Sequence, residues 1–328
     1  MSGNGDVSLK PSKRDARMFR ALASAQESGA ISLATLARLE SDLRILAKLS
    51  PGRGGVTTAI TRYPEELLST IMRKWTVPET RAAKISACCS ALKYDLALGT
   101  AKNREFWSEA SRRVTQTVRD KLDDNVMTDR EEESMPDLHD LRERVVAMRD
   151  TRPHAELKSS QEFLFLLISA SVPPKRAELG NIVIYRGPSR NSEQCETCNS
   201  LQLPSSGPAT LVLRTYKTEK LYGVYEEKIP KFVTDEIRAS LRAHPRDLLF
   251  QDARGLPFSN NSWSHWVKRT FFKHTGHYRT INGLRKAWVH AYAADGSKFT
   301  LSQQKLLAQA MLHSTGTQRA HYVRVRRA

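Results

Sequence analysis

"SVPPKRAELGNIVIYR", residues 171–186, decides how the second half of the chain is built. An apolar helical segment, "SSQEFLFLLISAS" (159–171), runs into it. Pro173 and Pro174 stop that helix, because proline lacks the N–H and forces the preceding residue out of helical geometry. The β-rich run "ELGNIVIYR" follows and reads as a strand. Between them stands Arg176, a cation held at a helix-to-strand corner.

Working outward, the next residues are rich in Gly, Pro, Ser and Asn and read as an insertion. "ATLVLRTY" (209–216) and "VYEEKIPKF" (224–232) then flank "KTEKLYG" (217–223), which predicts a hairpin-like pair with Lys217 at its turn. Four helical segments finish the chain: 234–243, 259–275, 280–294 and 301–312. Upstream, "DLHDLRERVVAMRD" (137–150) is also helical. This half is expected to be mainly α with a small antiparallel β-sheet.

The first half reads as helices throughout. "ISLATLARLESDLRILAKLS" (31–50) lines Leu33, Leu36, Leu39, Leu43, Ile45 and Leu46 along one broad face and stops at "PGRGG". "YPEELLSTIMRKW" and "VPETRAAKISACCSALKYDLAL" each open with proline followed by glutamate, a favourable first turn. "NREFWSEASRRVTQTVRDKL" is a further amphipathic segment. The expected organisation is a flexible basic arm over 1–18, a helical domain over 19–125, an acidic linker over 126–137 and a second domain over 138–328.

The 328 residues carry a formal net charge of +17 and a pI near 9.9, which favours a polyanionic partner over a small neutral substrate. No apolar run reaches transmembrane length and no signal-like apolar core stands near the start, so an intracellular protein with no membrane partner is expected. Cys88 and Cys89 are adjacent and helical, and read as small packed residues. Cys195 and Cys198 form one CxxC. Without a second ligand pair nearby it leaves a zinc knuckle and a plain polar loop both open.

Four features now stand in order: Arg176 in "SVPPKRAEL", Lys217 in "RTYKTEKLYG", Arg285 in "INGLRKAW", and the stretch "MLHSTGTQRAHYVRV" (311–325) with His313 and Tyr322. This order resembles the tyrosine recombinase (phage integrase-like) family over residues 138 to 325. The motifs are similar to those of recombinases from Crypton-type transposons and large DNA viruses. The resemblance implies a two-domain architecture, with a helical core-binding domain and an α+β catalytic domain closing as a clamp on double-stranded DNA. It implies a homo-tetramer on DNA at synapsis and a location in the nucleus or nucleoid.

The implied activity is site-specific recombination through a covalent 3′-phosphotyrosine, with no cofactor and no metal. Tyr322 is the implied nucleophile, Arg176, Arg285 and His313 bind the phosphate, and Lys217 is the general acid. Asn282 stands where the family usually has His or Lys. It can donate a hydrogen bond but cannot take up a proton near neutrality, and His290 is a neighbour able to do so. A type IB topoisomerase or telomere resolvase would use similar residues. Asn282 also leaves open a catalytically silent DNA-binding protein on the same scaffold. Glu178 is expected to orient an arginine or His313, or to be a solvated acid. Lys268, Arg269 and Lys273 are expected to touch DNA phosphates, and Trp263, Trp266 and Trp288 to be core.

Overall fold

The computed structural model describes residues 12–50, 54–123, 126–186, 197–294 and 300–323. Cys195 lies outside them. The chain divides into two compact units at Asp124 and Asn125. Among the described residues no helix is long and apolar enough to cross a membrane.

Among the described residues the first unit holds six helices: α1 (Lys13–Glu27), α2 (Leu33–Leu49), α3 (Gly55–Arg62), α4 (Pro64–Lys74), α5 (Pro78–Tyr94) and α6 (Ala101–Asp123). Ser12 caps α1, so the helix starts inside the stretch expected to be an arm, and it buries Met18 and Leu22. Pro64 and Pro78 open α4 and α5 as their sequences require. The α2 stripe packs Leu39, Leu43 and Leu46 against Ile60, Ile71, Ile85 and Trp107. Cys88 lies in that core, where burial pushes its thiol up, and it is not bonded to Cys89.

The second unit begins with α7 (Asp129–Glu133), α8 (Leu138–Arg149) and α9 (Leu157–Ser171). The acidic stretch expected to be a linker is therefore built into this unit. Met127 and Met135 are in its core, and Lys286 Nζ meets Glu131 Oε1 at 2.6 Å. Gly283 allows the close approach: a Cβ there would lie 2.0 Å from the Ser134 carbonyl oxygen.

Helix α9 is buried on nearly every side, which explains its unbroken apolar run. After the double proline and one 3-10 turn (Glu178–Asn181) come β1 (Val183–Arg186), β2 (Ser200–Leu203), β3 (Thr210–Leu213), the short α10 (Glu219–Tyr222) and β4 (Tyr225–Lys228). The sheet order is β1-β2-β3-β4. The β3–β4 pair is the expected antiparallel hairpin, with Leu213 opposite Tyr225. The sheet as a whole is mixed, because β1 and β2 run parallel. A parallel pair needs a connection of about a dozen residues to return to the same end, and residues 187–199 supply that length.

Helices α11 (Lys231–Ala243), α12 (Asn260–Thr275), α13 (Ile281–Ala294), α14 (Leu301–Ala310) and α15 (Thr315–His321) complete the unit. Trp263 and Trp266 stack at 5.1 Å beside Phe165 and Phe250, and Trp288 Nε1 donates to the Ser169 carbonyl at 2.9 Å. All three tryptophans serve the core.

Candidate active site

The last turn of α14 organises the site. A helix ends with carbonyls that have no partner in the helix, and the negative end of its dipole gathers there. Here each carbonyl from Leu307 to Leu312 is satisfied. Leu307, Ala308 and Gln309 accept from the N–H groups of Met311, His313 and Leu312. Ala310, Met311 and Leu312 accept from Lys175 Nζ, Arg285 Nη2 (2.8 Å) and Thr218 Oγ1 (3.0 Å). Leu312 takes a left-handed φ of 59°, a strained choice for a residue with a branched side chain. It closes the helix and delivers His313.

Arg285 lies on the inner face of α13 with no exposure to solvent. Its Nε donates to the Tyr322 phenol oxygen at 3.0 Å and Nη1 to the Pro174 carbonyl at 3.0 Å. Nη2 donates to Met311 and also to His313 Nδ1. Four of the five guanidinium hydrogens are thereby used, leaving one on Nη1. The Pro-Pro corner is thus fastened to this arginine through its main chain.

Helix α15, seven residues long and capped by the Ser314 hydroxyl, sets the distance between His313 and Tyr322. The two rings stack at 4.9 Å, and the Arg285 guanidinium carbon lies 5.1 Å from the centre of the tyrosine ring. Both residues are buried. Arginine only donates, so His313 Nδ1 must accept, and the ring hydrogen sits on Nε2. That Nε2 is buried and makes no well-formed hydrogen bond, but the side chain of buried Gln318 lies close enough to act on it as an acceptor.

Arg176 is half-buried and makes no hydrogen bond to a described residue. It is near enough for its charge to oppose protonation of both Arg285 and His313. Glu178 is buried, its Oε2 unpartnered, and its charge acts on both Arg285 and Lys175. Lys217 is exposed at the hairpin turn, one residue before the Thr218 contact to Leu312. Asn282 is exposed one helical turn before Arg285, hence on the same side of α13.

The structure therefore gathers Arg176, Arg285, His313 and Tyr322, with Lys217 and Asn282 at the margin. It also adds Lys175 and Thr218, which the sequence did not single out. The three cations expected on α12 divide. Arg269 is exposed and Lys268 half-buried. Lys273 is paired at 2.6 Å with buried Glu162, which also takes His274 Nε2 at 3.0 Å. Its position serves that buried carboxylate.

No protein-family model and no curated protein matches this sequence. Solved structures do. A lambda integrase tetramer bound to a Holliday junction matches over 97% of this chain and 78% of its own, at 14% identity and a TM-score of 0.54. A lambda integrase (75–356) dimer bound to a COC′ core site matches over 94% and 93%, at 14% identity and 0.53. At that identity the likeness is one of fold: this chain has the two-domain architecture of a tyrosine recombinase.

His313 gives the site a pH signature. Burial, then the charge of Arg285, holds it down at about 4, while an unfolded histidine titrates near ~6.5. Stability tied to neutral His313 is therefore present above about 6.5 and is lost as pH falls towards 4, because the unfolded chain takes up the proton first. The melting temperature of the native chain should drop further between pH 7.5 and 4.5 than that of His313→Asn. Equal drops would remove His313 from a buried, neutral role.

Proposed function

We propose that this chain is a site-specific DNA recombinase that cuts and rejoins strands through Tyr322. The observation that carries the reading is the contact of one buried guanidinium, Arg285, with both Tyr322 Oη and His313, with Arg176 beside them. A phosphodiester entering this site would meet a nucleophile, two guanidinium groups and the His313 Nε2–H, which would exchange its loose contact with Gln318 for a phosphate oxygen.

In the cleavage step a bond forms between Tyr322 Oη and phosphorus, and the bond from phosphorus to the 5′ oxygen breaks. The phenol proton leaves to water, and Lys217 donates a proton to the 5′ oxygen. The product is a 3′-phosphotyrosine and a free 5′ hydroxyl. Reversal with a 5′ hydroxyl from another strand rejoins DNA, so bond energy is conserved and no nucleotide is consumed. Arg176, Arg285 and His313 stabilise the non-bridging oxygens as charge collects on them. Asn282 adds a hydrogen-bond donor at the edge of the site. The lambda integrase structures hold DNA as a dimer and as a tetramer on a Holliday junction. The same assembly on duplex DNA, in a nucleus or nucleoid, is proposed for this chain.

The helical unit supports the DNA reading. Arg104, Ser108, Ser111, Arg112, Thr115 and Arg119 line one side of α6 along a groove of about 720 Å³ shared with α5. Every one of them can donate hydrogen bonds, and Arg112 and Arg119 pair with no described carboxylate. Such a stripe suits phosphates, where each neutralised contact contributes roughly 0.9 to the slope of log affinity against log salt. Arg112→Ala with Arg119→Ala should lower that slope by about 2 in an anisotropy titration on duplex DNA. An unchanged slope would take α6 off the DNA.

The cleavage reading is tested with a nicked duplex that traps the covalent complex. The native chain should form an adduct. Tyr322→Phe should bind the duplex and form none, and Arg176→Ala should lose on the order of 10³-fold in rate, as when one oxyanion donor is removed. Lys217→Ala should fail on ordinary DNA and recover when the leaving 5′ oxygen is replaced by sulfur, which needs no proton. An adduct that survives in Tyr322→Phe would overturn the assignment. Binding with no adduct from the native chain would favour a silent DNA-binding protein, the reading that Asn282 keeps in view.

A further inference from the structure

Lys175 stands next to Arg176 in the Pro-Pro corner, yet the two side chains part company. Arg176 is half-buried with no described partner. The Lys175 side chain is 1% exposed. Its ammonium meets Glu227 Oε2 at 2.7 Å and the Tyr225 hydroxyl at 3.4 Å, and it lies 4.8 Å from the centre of the Tyr225 ring. It also donates to the Ala310 carbonyl. These partners come from β4 of the lysine-bearing hairpin and from the last turn of α14. Burying an ammonium is strongly unfavourable unless it is paired and hydrogen-bonded. Here a carboxylate, an aromatic face and the negative end of a helix share the compensation.

The place of Ala310 gives this contact its consequence. The next two carbonyls, of Met311 and Leu312, are held by Arg285 and by Thr218 of the hairpin turn. The residue after them is His313. Three successive carbonyls are thus fixed from the corner, from α13 and from the hairpin.

We propose that Lys175 is a positioning residue. By clamping the end of α14 to β4, it sets His313 and Tyr322 in register with Lys217 across the reacting phosphate, without touching that phosphate. Arg176, its neighbour, faces the substrate. The inference rests on the reading of Tyr322 as nucleophile, and its test separates the two.

Lys175→Met and Glu227→Gln are made in the full chain, singly and together. Adduct rate on the nicked duplex, duplex affinity and the NMR titration of His313 are measured for each. Lys175→Met should slow adduct formation on the order of 10²-fold, the size of a misplacement of about 1 Å. Affinity should stay within about twofold, because many other phosphate contacts carry it. The His313 titration should move up towards that of an exposed histidine. Glu227→Gln should act in the same direction, and the double variant should add little to the larger single effect. If Lys175→Met does not fold, Glu227→Gln alone carries both readouts. Loss of adduct with an unmoved His313 titration would overturn the proposal, since Lys175 would then act on the phosphate itself. An unchanged adduct rate with an unmoved titration would overturn it equally. If the native chain forms no adduct at all, the Tyr322 chemistry fails, and the His313 titration still decides whether Lys175 positions this turn.

Discussion

A guanidinium shut away from water needs partners for its charge and for its N–H groups, and Arg285 takes them from four places in the chain. The corner at Pro174, the end of α14 at Met311, the ring of His313 and the phenol of Tyr322 all converge on it. An unpaired buried charge costs several kcal/mol, so these segments are held by a shared need. Removing any one partner exposes the others to that cost. The same constraint explains why a helix of only seven residues, α15, has a fixed place: His313, just before its cap, and Tyr322, at its end, both contact the arginine.

The surroundings of Arg285 are unbalanced in charge. Lys175, Arg176 and Arg285 lie close together, and burial draws Lys175 and Arg285 down from their usual values. Glu178 and Glu227 oppose this only in part. A site that concentrates cations and keeps a neutral histidine whose N–H is only loosely engaged by Gln318 is prepared for an anion with several acceptor oxygens. A phosphodiester meets that description. The hairpin completes the arrangement, because Thr218 fastens the turn to Leu312 while leaving Lys217 exposed beside it.

Much of this was legible in the sequence. Pro64 and Pro78 marked two helix starts, the leucines of α2 marked its buried face, and "KTEKLYG" between two β-type runs marked the hairpin. The order of Arg176, Lys217, Arg285, His313 and Tyr322 pointed to residues that the fold brings together, with Lys217 and Asn282 at the edge. What was not legible is what depends on distant partners. The β2 strand at Ser200–Leu203 lies beyond a polar stretch, and its parallel pairing with β1 has no local signal. The acidic run at 129–133 gave no sign that Lys286 and Gly283 would hold it. Lys175 was hidden for the same reason: a lysine in a corner is ordinarily solvated, and only β4 and α14 together make a place for its charge.

In the proposed reaction Arg285 and His313 present one phosphate to Tyr322. A structure of the full chain with a nicked duplex and orthovanadate, which copies a five-coordinate phosphorus, tests it most directly. Vanadium should be bonded to Tyr322 Oη, in line with the 5′ oxygen, with Arg285 and the His313 Nε2–H on its equatorial oxygens. Vanadate bound elsewhere, or held at the nick with Tyr322 still docked on Arg285 and apart from the metal, would contradict it.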